Sequence, residues 1–142
     1  MSQHSVRSNN VSTVAACAIA QAAIAKAEAL GIAINVSVVD SSATEIAFLR
    51  MNSAFLPSMG IAKDKAYTAA GFGFPTMVWK DALAGNVQLQ AGIVERPRVV
   101  TFGGGVPIVE RDEIIGAVGV SGGSEEEDIA CAEAGITALK NV

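Results

Sequence analysis

The sequence predicts an α+β fold in which an antiparallel sheet is flanked by helices, and three observations lead there. The residue pattern reads in the order helix, two strands, two helices, three strands, helix, with no strand-helix-strand alternation of the kind that builds a parallel sheet. One hairpin is enclosed between two glycine-rich loops, Gly103-Gly104-Gly105 and Gly122-Gly123. A chain of 142 residues, 51% of them apolar, is one domain's worth with ample material for a core.

Each element has a local reason. Residues 11–30 form a helical pattern, with Ser12 or Asn10 as N-cap candidates and Gly31 at the position where a C-terminal glycine belongs. This helix is apolar nearly all round, which suits coverage by its own sheet on one side and by another subunit on the other. Residues 32–39 and 44–50 are rich in β-branched side chains, and Asp40-Ser41-Ser42-Ala43 reads as the turn between them. Pro57 and Ser58 open a helix over about 59–72, and a short one is expected after Pro75. Residues 85–97 are of mixed character and receive no assignment. Residues 98–102 look like a strand, 106–109 and 114–120 make the hairpin, and 124–139 is the last helix. The whole chain, 1–142, is expected to be a single domain with residues 1–10 as a flexible polar tail.

Composition excludes several classes. A net charge of −4 offers no clustered basic face for nucleic acid, and no basic stripe for a membrane surface. The amino terminus has neither the charge nor the apolar run of a signal peptide, so a cytoplasmic protein is expected. Cys17 and Cys131 lie far apart in alanine-rich helical patterns, which favours reduced thiols and gives no metal spacing. The mean hydropathy of +0.42 is high for so small a domain, and a homo-oligomer is the expected way to hide it.

The chemistry-bearing residues are few. Ser124 with Glu127 fits a capping box, and Glu125, Glu126 and Asp128 suit the positive end of a helix better than a metal ion, so no metal site is expected. The Gly103 loop lacks the Lys-Ser/Thr of a phosphate loop and leads into a strand, which disfavours nucleotides. On the 59–72 helix, Ala62, Ala66, Ala69 and Gly73 share a face, while Lys65 and Thr68 share a flank and Lys63 and Tyr67 another. A lysine beside a hydroxyl holds a carboxylate or moves a proton; a solvated lysine beside a packing threonine gives the same pattern. Arg50, ending an apolar strand, is a second candidate carboxylate clamp or an ordinary strand-end arginine. With His4 as the sole histidine, no serine triad can be assembled.

Val38-Val39-Asp40, Phe48-Leu49-Arg50-Met51, Lys65-Ala66-Tyr67-Thr68-Ala69-Ala70, Gly103-Gly104-Gly105-Val106-Pro107 and Ile115 through Gly123 resemble the GlcG/HbpS family, with Asp128 and Cys131-Ala132-Glu133-Ala134-Gly135 completing the likeness. The resemblance implies a profilin-like α+β fold, a five-stranded antiparallel sheet flanked by helices, and homo-oligomers. It covers haem-binding or haem-degrading proteins, a cobalamin-associated PduO domain, and small proteins of aromatic catabolism. Ala43 and Asp112-Glu113 stand where glycines are common in the family's hairpin turns.

The expectation drawn from this is a small cytoplasmic oligomeric enzyme acting on an unsaturated (di)carboxylic acid. Its chemistry would be enamine deamination of a 2-aminomuconate-like substrate, or keto-enol tautomerisation, without cofactor. Lys65, helped by Thr68, or Asp40 would move the proton. Arg50, Ser121 and the amides of Gly103, Gly104 and Gly105 would hold the small anionic substrate. A haem- or tetrapyrrole-binding or haem-degrading accessory protein is the alternative, and a non-catalytic ligand carrier the third.

Overall fold

The computed structural model describes residues 4–141. Helix α1, Thr13–Leu30, starts where Ser12 accepts the Ala15 N–H at 3.1 Å and stops at Gly31, whose φ of 71° turns the chain out of the helix. Strands β1 (Asn35–Asp40) and β2 (Glu45–Arg50) form a hairpin, followed by α2 (Ser58–Phe72). A 3-10 turn at Thr76–Val78 leads into the short α3 (Trp79–Ala82), and α4 (Val87–Ile93) occupies the segment that the sequence pattern left unassigned. The second hairpin is β3 (Gly105–Glu110) with β4 (Glu113–Ser121), and α5 (Glu125–Ala138) closes the domain.

The sheet runs β2-β1-β4-β3, antiparallel at every pair, with Arg50, Asn35 and Ser121 in one row across β2, β1 and β4. Alternation along β1 sends Val36 and Val38 to one face and Asn35, Ser37 and Val39 to the other. On the first face α1 buries Ala16, Ile19, Ala20, Ala23 and Ala27 against the sheet and α5. The α1–α5 crossing is close because Gly135 has no Cβ to meet Ile19. On the second face α2 presses Ala66 and Ala69 onto Val39 and Ala117. Gly119 lies directly beneath the α2 backbone and leaves no room for a side chain there. The result is three layers, with two helices, a sheet and one helix.

The sheet has four strands among the described residues, not the five expected. Residues 98–102 are not a strand because their backbone groups are taken by α2. Thr68 Oγ1 accepts from Val100 N at 3.0 Å and lies 2.9 Å from the Arg98 carbonyl oxygen. Arg98 itself sits at φ 67°, which no strand tolerates. In the turns, Ala43, Arg111 and Asp112 take positive φ values of 63°, 52° and 62° without being glycine. Ahead of α1, Asn9 and Asn10 hydrogen-bond to Glu113 and Ser41, and Val11 N donates to the Ile115 carbonyl at 2.9 Å. Residues 1–3 lie outside the described residues.

Candidate functional site

Lys65 is the most deeply buried ionisable side chain of the candidate set, at 1% exposure. It leaves α2, passes over Gly104 at the end of the sheet, and donates to Val120 O at 2.8 Å and to Asp128 Oδ2 at 2.9 Å. Asp128, in the first turn of α5, accepts the Gly123 N–H on its other oxygen at 2.9 Å. The Phe102 ring covers the ammonium, 5.1 Å away. Burial pushes the Lys65 ammonium below its usual value, opposed by Asp128, and burial raises the Asp128 carboxyl, opposed by Lys65 and the Gly123 N–H.

The three glycines of the 103–105 loop belong to the same construction. A Cβ on Gly104, at φ 128°, would stand 2.6 Å from Lys65 Nζ, and one on Gly103 would stand 2.5 Å from Ile129. The Gly105 N–H is bound to Thr76 Oγ1 at 2.9 Å. The structure therefore brings Lys65 together with Gly103, Gly104 and Gly105, and places Ser121 one residue beyond the Val120 carbonyl. Within that cluster the lysine faces a carboxylate of its own chain, and the glycines face packed side chains. Asp128 is the partner that the pattern concealed, because its place in a capping turn explained its charge.

The remaining candidates lie elsewhere. Thr68 straps the 98–100 segment to α2. Asp40 Oδ1 accepts from Ser42 N at 2.9 Å and Thr44 N at 3.0 Å, closing the β1–β2 turn. On the far edge of the sheet, Arg50 Nη2 donates to the Asn52 and Ala54 carbonyls at 3.2 and 3.3 Å. This arginine lines an open groove of about 480 Å³ with Ile24, Glu28, Leu49, Met51, Asn52 and Ser53, and Lys65 is not part of it. The sequence offered one signal for this groove, the Phe48-Leu49-Arg50-Met51 run, but nothing that brought Ile24 of α1 beside it.

The chain is 37% identical over 131 residues to an uncharacterised 15.0 kDa protein of the dhaT-dhaS intergenic region of Citrobacter freundii, covering 89% of this chain and 92% of that one. It is 34% identical to the corrinoid adenosyltransferase PduO of Citrobacter freundii over 85% of this chain, and spans 36% of that relative's length. The solved PduOC:Heme complex superposes with a TM-score of 0.83 at 33% identity, over 91% of this chain and 94% of that one. None of these is described as a deaminase or tautomerase, so the unsaturated-acid reading finds no support in them. The expectation of no cofactor is overturned by the heme complex, since a structure so alike carries that group. A chain with His4 as its sole histidine can still ligate haem, because haem iron also accepts thioether, thiolate and phenolate donors.

The Arg50 groove suits such a group by its donor set. Ile24 and Leu49 supply apolar wall, half-buried Met51 supplies a thioether that accepts the Ile34 N–H at 3.3 Å, and the Arg50 guanidinium, its Nη2 donating to two carbonyls, is a cationic partner for a carboxylate beside the acidic Glu28. His4, the one imidazole, is exposed in the segment ahead of α1. The model of the family described as "Haem degrading protein HbpS-like" matches residues 11–137, and this chain belongs to that family.

Proposed function

We propose that the protein binds haem or a closely related tetrapyrrole as a small cytoplasmic accessory protein, and that the groove between α1 and the end of β2 receives it. The observation that supports this reading most is the PduOC:Heme complex, alike in fold and 33% identical over nearly the whole domain. In the groove, Ile24 and Leu49 would lie against the macrocycle, Arg50 would pair with a propionate, and the Met51 thioether, on giving up the Ile34 N–H, would be the donor for iron. Bound haem supplies iron-centred electron and oxygen chemistry. The chain's own contribution is to bind, orient and partly shield it.

The test is a haemin titration followed at the Soret band. A stoichiometric shift is expected for the wild type. Arg50→Ala should weaken binding about 10-fold to 100-fold, the worth of one charge-assisted contact. Met51→Leu, which keeps the core volume, should change the ligation spectrum, while His4→Ala should leave it unaltered. No Soret shift, or a shift abolished only by His4→Ala, would overturn the reading.

A further inference from the structure

On the α2 side of the β1–β2 hairpin lies an open cleft of about 220 Å³ that shares no residue with the Arg50 groove. Ser37, Val39, Ala43, Glu45, Lys63 and Arg98 line it. Its volume is below the roughly 300–1,000 Å³ of pockets for drug-sized ligands. A macrocycle does not fit there, and a ligand of a few heavy atoms does.

The charged groups of this cleft are held in place without being used up. Lys63 and Tyr67 stand one turn apart on α2. The Lys63 ammonium lies 4.7 Å from the centre of the Phe48 ring, and the Arg98 guanidinium 4.1 Å from that of Tyr67, so an aromatic face seats each cation. Arg98 Nε is 2.9 Å from Asp64 Oδ1, and Thr68 Oγ1 lies 2.9 Å from the Arg98 carbonyl oxygen, which pins a non-glycine residue at φ 67°. Across the cleft, buried Ser37 donates to Glu45 Oε1 at 2.9 Å and leaves Oε2 on the side of Lys63. That oxygen is 3.8 Å from Lys63 Nζ, beyond the roughly 2.7–3.2 Å of a hydrogen bond. One polar atom beside the gap can bond to both groups. Among the described residues, Lys63 Nζ and the two Nη groups of Arg98 make no hydrogen bond.

We propose that this cleft binds a small monocarboxylate bearing a hydroxyl group. The carboxylate takes the two Nη groups of Arg98, a planar fork suited to bidentate pairing. The hydroxyl sits at the Lys63–Glu45 gap, accepting from Nζ and donating to Oε2. The charges of the lining select this class, because Lys63 and Arg98 against Glu45 leave one positive charge for one anion to balance. A dicarboxylate or a phosphate would set a further negative charge against Glu45, and an amine would face two cations. The site is separate from the groove proposed for the tetrapyrrole, and occupation of one does not require the other.

Lactate is a suitable probe, with propionate as the same carboxylate lacking the hydroxyl. Amide NMR of the full chain titrated with lactate should show saturable shifts at Ser37, Glu45, Lys63 and Arg98 in the millimolar range. Propionate should bind about 10-fold more weakly, the worth of a hydrogen bond to a charged group. Lys63→Met should weaken lactate about 10-fold, and Glu45→Gln should erase the preference over propionate. Both side chains are more than a third exposed, so these variants should fold and should titrate haemin as the wild type does. Arg98→Lys, which keeps the charge and loses the fork, should also weaken lactate, and Lys80→Ala, an exposed lysine outside the cleft, should not. No saturation by lactate, shifts confined to other residues, equal binding of propionate, or a Lys63→Met that binds as the wild type does would overturn the proposal.

Discussion

Lys65 Nζ lies 2.9 Å from Asp128 Oδ2 although their helices belong to opposite faces of the sheet. The ion pair crosses at the one place where the sheet ends, over a residue without a side chain. Two charges so deeply placed do not add much net stability together, but each is costly without the other.

Truncating either partner should therefore be severe. Lys65→Ala or Asp128→Ala is expected to lose about 3–5 kcal/mol in denaturant unfolding, whereas Lys65→Met with Asp128→Leu should recover most of that loss. A Lys65→Met variant that kept its stability and lost ligand binding would instead make the ammonium a ligand-binding group.

Gly104 sets a second expectation. Alanine at Gly31 meets open space and suffers only the left-handed backbone, worth about 1–2 kcal/mol. Alanine at Gly104 adds to a φ of 128° the collision with Lys65 and the Val120 carbonyl, both 2.6 Å from the added carbon. Thermal and denaturant melts should place Gly104→Ala well below Gly31→Ala, and equal losses would show that the lysine yields freely.

Cys131 carries a pH signature. Burial, with Asp128 second, pushes its thiol up from 9.0 to about 11. Below pH 9 the thiol is protonated in both folded and unfolded chains and the full contribution is present. Between pH 9 and about 11 the unfolded chain loses this proton first, so stability falls across that window. The fall attributable to this group is about 2–3 kcal/mol. Denaturant melts of wild type and Cys131→Ala should diverge over the same window, and a parallel course would remove the thiol as the cause. Exposed Cys17 should meanwhile react with thiol reagents in the native protein while Cys131 does not.

Most of the architecture was legible because local chemistry and global packing agree. The Ser12 and Ser124 caps, the Gly31 stop, the small-residue face of α2 and the β1–β2 hairpin are each written in adjacent residues. Residues 98–102 misled because β-branched Val99 and Val100 look like strand, while the decisive hydrogen bond comes from Thr68, thirty-two positions before Val100. α4 escaped assignment because its residues pack on nothing in their own chain, so no periodicity marks a buried face. At the candidate site the glycine loop and Lys65 lie side by side, while Arg50, expected to hold the same substrate, lines a separate groove. The role of Lys65 and the loop was not visible, because a capping aspartate and an ion-pairing aspartate look alike in sequence. The Arg50 groove joins α1 to the end of β2, and only the folded register brings Ile24 there.

The short segment ahead of α1 touches the tips of both hairpins, Asn10 at Ser41 and Asn9 at Glu113, and Val11 seals the join from below. Each tip alone is an exposed turn with a non-glycine residue in left-handed backbone, the kind of place where a sheet breathes first. Laced to a common strap, the two turns cannot open independently. Amide exchange at β1–β2 and β3–β4 tips would then proceed as one event, and the weakest corner of the sheet becomes a single cooperative unit governed by two asparagines.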